Sequence, residues 1–311
     1  MGFDLDGLKA AVARHGRVVR VAIAGLRGSS PREVGAAMLV WDGGQSGTIG
    51  GGVLEFEAAA AARTITGTVL SHHALGPDLG QCCGGAVSLL SEVYDAASVE
   101  ALDRTVIARP VCGGMDMPIT VRRVLTEARN RGAMPQSQLV DGWMIEPVHR
   151  PARPVWIWGA GHVGRALTQV LAPMPDLAIT WVDTAPERFP ANVPAGVTTI
   201  PVANPANLVR HAPSHAEHLI LTYSHALDLE LCHSLLAHQF AFAGMIGSKT
   251  KWARFRSRLA ALGHQTSRVS DITSPIGDPA LGKHPQMIAI GVAAALLRPA
   301  EKFEYRKDLS A

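Results

Sequence analysis

Apolar and polar positions alternate most regularly in the second half of the chain. Val155 to Trp158 is a short apolar run, Val163 to Leu171 carries apolar residues at helical spacing, and Ala178 to Val182 is a second run. Together they predict a strand, a helix and a strand. The alternation continues with a strand at Val197 to Val202, a helix near Pro205 to His211, a strand at Leu219 to Thr222, a helix through Leu227 to Leu236 and a strand at Phe242 to Ile246. Helices near Lys249 to Leu262 and Pro285 to Leu297 follow. Short strands separated by helices imply an α/β fold with a parallel, doubly wound sheet.

The first half has a different rhythm. Leu5, Leu8, Ala11 and Val12 mark a helix over Leu5 to Arg14, followed by strands at Val18 to Ala24 and Ala36 to Trp41. A glycine-rich turn then leads into an alanine-rich helix, Leu54 to Thr64. Between about residues 96 and 149 the pattern predicts one helical stretch and two amphipathic strands, Ile119 to Leu125 and Trp143 to Val148. Prolines and arginines interrupt the pattern at His149 to Pro154. The expected organisation is an N-terminal α/β domain over 1–95, a connecting helix and small strand region over 96–150, a Rossmann-like domain over 151–300 and a charged tail over 301–311.

Composition narrows the function classes. A chain of 311 residues suits two domains of ordinary size. With 47% hydrophobic and 18% charged residues it is neither a disordered chain nor a highly charged one, and a net charge of +3 is too small to propose nucleic acid as the main partner. The apolar stretch Met287 to Leu297 is too short to span a bilayer, so no membrane association is expected. The first residues, Met1 to Asp6, lack the positive start and apolar core of a signal peptide, which leads us to expect a cytoplasmic protein. Four cysteines are too few for a disulfide framework at this length.

Several strings carry candidate chemistry. Gly159, Gly161 and Gly164, with Ala160, His162 and Val163, follow a strand and open a helix, where bare backbone N–H groups can approach a phosphate. Asp183 ends the second strand, where a carboxylate would meet a ribose hydroxyl. Gly50, Gly51 and Gly52 precede the helix containing Glu55, a second glycine turn that serves either a ligand or tight packing. Gln81, Cys82 and Cys83 sit between glycines; adjacent cysteines point apart on an extended chain, so one thiol can meet a thiophilic metal while the other packs. Ser248 and Lys249 open a helix that also bears Lys251, Arg254, Arg256 and Arg258, and the arginines beyond Arg254 read as a solvated basic face. His225, near Asp228, follows the fourth strand at the sheet edge where α/β ligands bind, and is placed to act as acid, base or hydrogen-bond donor. His211, His215 and His218 straddle a helix end and a strand start, a poor arrangement for a shared metal.

Taken in order, these strings resemble a known family. Gly28 to Arg32 with Ser30, Gly47 to Gly52 with Glu55, Leu79 to Gly85, Gly159 to Gly164, Gly244 to Lys249, and Ser274 to Gly277 with Gly282 and Lys283 are similar to the xanthine dehydrogenase accessory protein family XdhC, within the wider XdhC/CoxI group. The resemblance implies a chaperone that binds molybdenum cofactor (molybdopterin), protects it, supports its sulfuration and inserts it into xanthine dehydrogenase. It also implies a homodimer, a cysteine desulfurase as sulfur source, and the molybdenum-binding subunit of xanthine dehydrogenase as partner. Two departures stand out. Thr222 to His225 keeps only the second histidine of a Thr-His-x-His pattern, and Val53 stands where CoxI-like relatives often carry cysteine. The competing expectation is an NAD(P)-dependent oxidoreductase built on the Gly159 to Gly164 turn and Asp183; a third is a Rossmann module that binds only protein.

Overall fold

The computed structural model describes residues 2–75, 85–112 and 116–298. The chain divides into two compact units, Met1–Arg150 and Pro151–Ala311.

The first unit starts with α1 (Leu5–His15), capped by the Asp4 carboxylate, which accepts from Gly7 N at 2.8 Å. Strands β1 (Val18–Arg27), β2 (Ala37–Trp41) and β3 (Gly44–Gly47) follow, then α2 (Gly52–Ala62), β4 (Val69–Ala74) and β5 (Ala86–Tyr94). These strands form one antiparallel sheet in the order β3-β2-β1-β5-β4. Its inner face, with Val19, Val21, Ile23, Met38, Val87 and Leu89, buries Leu54, Ala58, Ala59 and Ala62 of α2. The alanines of that helix let it lie close to the strands.

After the short helix α3 (Ala96–Glu100), strand β6 (Val106–Pro110), helix α4 (Ile119–Arg131), and strands β7 (Gln138–Val140) and β8 (Trp143–Pro147) make a second, three-stranded sheet in the order β6-β8-β7. The strand predicted at Ile119 to Leu125 is thus the first half of α4. The β-branched start misleads, while Val121, Val124, Leu125 and Ala128 recur at helical spacing and pack on Val106, Trp143 and Ile145. Gly132, in the left-handed region at φ 65°, ends the helix behind Arg129 and Arg131.

Buried charge ties the two sheets of this unit together. Arg20 of β1 makes two hydrogen bonds to Glu146 of β8, at 2.6 and 3.0 Å, and Arg109 of β6 bridges Glu92 of β5 and Glu146. Phe3 lies under both guanidinium groups, at 4.1 and 5.3 Å from its ring centre. Burial opposes the charge on Glu146, but the two arginines hold its carboxyl below the usual range.

The second unit is a parallel sheet of β9 (Arg153–Trp158), β10 (Leu177–Asp183), β11 (Thr198–Pro201), β12 (Glu217–Ile220), β13 (Phe242–Met245) and β14 (Ile272–Thr273), in the order β11-β10-β9-β12-β13-β14. Both faces of the central strands are covered, which is why β9 and β10 read as largely apolar runs. Val155 and Ile157 face one core with Leu167, Leu171, Val292 and Leu296; Trp156 and Trp158 face the other with Leu231, Leu235, Phe255 and Leu259. The covering helices are α5 (His162–Leu171), α6 (His225–Leu236), α7 (Lys249–Ala261), the short α8 (Thr266–Val269) and α9 (Pro285–Leu297). The helix predicted near Pro205 to His211 is a 3-10 helix capped by Asn204. The two-residue β14 was too short to show a period.

Candidate ligand-binding crevice

In the second unit the chain runs from β9 out to β10 and β11, then crosses back to β12 on the other side of β9. Such a reversal opens a crevice at the carboxyl ends of the two central strands, where ligands of open α/β sheets bind. Three helices start there: α5 after β9, α6 after β12 and α7 after β13. Their first N–H groups and their macrodipoles favour an anion.

Each glycine of the first turn has its own reason. Gly159 takes φ 118°, and a Cβ there would lie 2.6 Å from the carbonyl oxygen of Leu221. A Cβ on Gly164 would lie 2.0 Å from the Gly159 oxygen, so only hydrogen lets α5 pack on the turn. Gly161 differs: a Cβ there meets no atom within 4 Å. Its backbone faces open space, and His162 beside it is exposed.

Two carboxylates border the crevice, and both are committed. Asp183, 3% exposed, accepts from Ala160 N at 2.5 Å with one oxygen. Its other oxygen accepts from Thr184 N at 2.6 Å, Thr184 Oγ1 at 3.1 Å and Arg188 Nε at 3.3 Å. Asp228, 1% exposed, pairs with Lys251 Nζ at 2.6 Å and accepts from Thr222 Oγ1 at 2.7 Å and Thr222 N at 3.1 Å. The negative charges at this edge are therefore neutralised or absorbed by local donors. The exposed groups are His162, Tyr223, His225, Ser248 and Lys249. Arg188 stacks over Tyr223 at 4.6 Å. Ser224 and Ser248 cap α6 and α7 with their hydroxyls.

The first unit gathers a second set at one end of its five-stranded sheet. Here the glycine turn is filled by the chain itself: Glu55 Oε2 accepts from Thr48 Oγ1 at 2.5 Å, Ile49 N at 2.9 Å and Gly51 N at 3.0 Å. Burial raises the Glu55 pKa, but these hydrogen bonds outweigh it and hold the carboxyl below its ordinary value. Gly50, at φ 128°, has Pro31 against it, 2.5 Å from where a Cβ would sit. Ser30 Oγ donates to Arg32 O at 2.9 Å, and Arg32 pairs with Glu33 at 3.4 Å. Gly85 lies tight on the Ser29 carbonyl, 2.2 Å from a built Cβ, and its own oxygen accepts from Leu75 N at 2.7 Å. Beside this point a cavity of about 450 Å³ is lined by Gly25, Arg27, His72, Ala86 and Ser88, with His72 Nδ1 2.8 Å from Ser88 Oγ.

Comparison with known proteins agrees with this architecture. Residues 155–296 match the XdhC Rossmann domain, and residues 11–71 match the XdhC and CoxI family. The chain belongs to the XdhC and CoxI family. Among curated proteins it is 24% identical over 283 residues to the uncharacterized protein YqeB of Escherichia coli (strain K12), covering 88% of this chain and 41% of that protein. The chain thus spans well under half the length of that relative. Among solved structures, one described as a xanthine dehydrogenase from Bacillus halodurans shares the fold at a TM-score of 0.69 and 21% identity, over 94% of this chain and 95% of the other.

Within this XdhC-family fold, the sequence-predicted residues fall into two groups. Gly159, Gly161, His162, Gly164, Asp183, His225, Ser248 and Lys249 sit at the crevice of the second unit, although Asp183 turns inward onto Ala160. Ser30, Arg32, Gly50, Gly51, Gly52 and Glu55 come together in the first unit, with the carboxylate of Glu55 turned into its own loop. Gln81, Cys82 and Cys83 lie outside the described residues. Among the described residues no group of three or more His, Cys, Asp or Glu is placed to hold a metal ion, and no helix is long and apolar enough to cross a membrane. Sequence reasoning did not assign Arg188, Thr222 or Lys251 to the site. Lys251 lies in the first turn of α7 and Asp228 in the first turn of α6, and only the burial of Asp228 shows that the two must pair.

Proposed function

We propose that this chain is a maturation factor that holds molybdenum cofactor as cargo and passes it to an apo molybdenum hydroxylase of the xanthine dehydrogenase class. The observation that carries this reading is the crevice of the second unit, where three helix starts and an open Gly161 backbone converge while both neighbouring carboxylates are already satisfied. The cargo is a pterin dithiolene bearing a phosphate. Its phosphate fits the Gly161 and His162 N–H groups, with Lys249 as a nearby cation, and polar edges of the pterin fit His225 and Tyr223. Family membership supports the same assignment.

The oxidoreductase alternative asks the second-strand carboxylate to bind a ribose, and in this chain both Asp183 oxygens are engaged by backbone, Thr184 and Arg188. A carrier needs no such contact. Cys82 or Cys83 would then serve as the thiol that guards or relays sulfur, with a cysteine desulfurase as donor, the molybdenum-bearing subunit as recipient, and a homodimer as the working form.

Anaerobic purification from cells that make molybdenum cofactor, followed by assay of molybdenum, pterin and nicotinamide nucleotide in one sample, tests the reading. Molybdenum with pterin in near-equal amounts is expected. Nucleotide without pterin would overturn the proposal. In the same assay, Cys82→Ala or Cys83→Ala is expected to reduce target activation while the far-UV circular dichroism stays unchanged.

A further inference from the structure

Helix α7 has an outer face that the carrier chemistry does not use. Its inner face is settled by packing: Phe255 and Leu259 are buried, and Trp252 lies against the same core. At 100° per residue, Ala253, Ser257 and Ala260 then lie along the solvent side, and all are exposed. Arg254 and Arg258 flank this line of small residues on one side, and Lys249 and Arg256 on the other. The helix contains no acidic residue. Among the described residues Arg254, Arg256 and Arg258, all exposed, have no side-chain hydrogen-bond or ion-pair partner, so their charges are open to a partner.

We propose that this face docks an acidic segment of the protein that receives the cargo. Small side chains between two cationic rails let a partner backbone come close while its carboxylates reach guanidinium groups on either flank. Arginine suits that task, because its planar fork takes a carboxylate through two parallel hydrogen bonds. Arg254 and Arg258, one turn apart, stand about 6 Å from each other along the axis, a spacing matched by carboxylates four residues apart on a partner helix. A protein partner fits better than nucleic acid, since the whole chain carries only +3 and the rails are short, about 20 Å for the entire helix. Position adds a reason. The N-terminus of α7, at Ser248 and Lys249, opens onto the crevice, so a partner lying along α7 stands at the exit of the ligand.

This inference rests on the carrier reading, and the test separates the two. Binding of the full chain to the molybdenum-bearing subunit of its cognate xanthine dehydrogenase is measured at 50 and 300 mM salt, alongside binding to a 20-base-pair DNA duplex, as about the simplest salt and polyanion controls. The comparison is between the native chain and the variant Arg254→Glu/Arg256→Glu/Arg258→Glu. We expect the variant to bind the subunit at least about tenfold more weakly at low salt and to lose its salt dependence, while cofactor retention by the free protein is unchanged. Lysine at all three positions should restore part of the affinity. Equal affinity of native and reversed chains, no binding by the native chain, or a preference for the duplex would each overturn the docking face. Cofactor retention, measured separately, decides the carrier reading.

Discussion

Glu55 and Gly161 show how two similar glycine turns come to opposite ends. In the first, a carboxylate of the chain itself takes the donors that a ligand would use; in the second, Asp183 takes Ala160 N while the Gly161 and His162 N–H groups stay open. Replacing Glu55 by Ala leaves Thr48 and two backbone N–H groups without their acceptor, and should lower unfolding free energy by about 1–3 kcal/mol in urea titration. For the second turn, Gly161→Val should leave the melting temperature nearly unchanged yet cut cargo uptake at least about tenfold, as read by co-purified pterin. Gly164→Val, two ångströms from a carbonyl, should instead prevent soluble folding. His218 makes a further residue-level prediction. It is buried against Trp156 and Trp158, accepts from Trp158 Nε1 at 3.2 Å, and burial pushes its pKa down to about 3. An unfolded histidine titrates near 6.5, so below that pH the unfolded chain binds the extra proton. Stability is therefore full above pH 6.5 and falls by about 1.4 kcal/mol per unit as pH drops towards 3. His218→Gln, which keeps an acceptor for the indole, should flatten that slope in chemical denaturation followed against pH.

Elements were legible in proportion to their length and to the cover on their faces. The strands of the second unit announce themselves because both sides are packed, so Val155 to Trp158 and Leu219 to Ile220 are apolar without interruption. Helix α4 was misread because its first residues are β-branched, although its later spacing is helical. Strand β3, with the sequence Gly-Gln-Ser-Gly, has no apolar signal at all; it forms because β2 offers it an edge. The arginine and glutamate network between the sheets was equally hidden, since charged residues at positions 20, 92, 109 and 146 give no hint that they meet. Glu146→Leu would leave Arg20 and Arg109 to share Glu92 as a single buried counter-charge inside the first unit. A loss of about 3–5 kcal/mol is expected for that unit in guanidinium titration, with fluorescence of Trp143 as the probe.

For the whole molecule, the order of motifs carried more than any single one. The family could be read from six glycine-rich strings in sequence, and the match of residues 155–296 and 11–71 bears that out. The crevice itself was legible as far as backbone is concerned: which glycines turn, and which helices start where. What side chains do there was not, because Asp183 folding back onto Ala160 depends on a hydrogen bond that no spacing announces. The inner sulfur of the second unit has a practical consequence. Cys232 is sealed in the core, its Sγ 4.0 Å from Met245 Sδ, with burial pushing the thiol up to about 12. It will not react with iodoacetamide until that core comes apart, whereas Cys112 lies at the surface. A native sample pulsed with alkylating reagent and read by mass spectrometry thus contains its own clock: modification of Cys232 times the opening of the second unit, and any persulfide trapped before that moment resides on another sulfur.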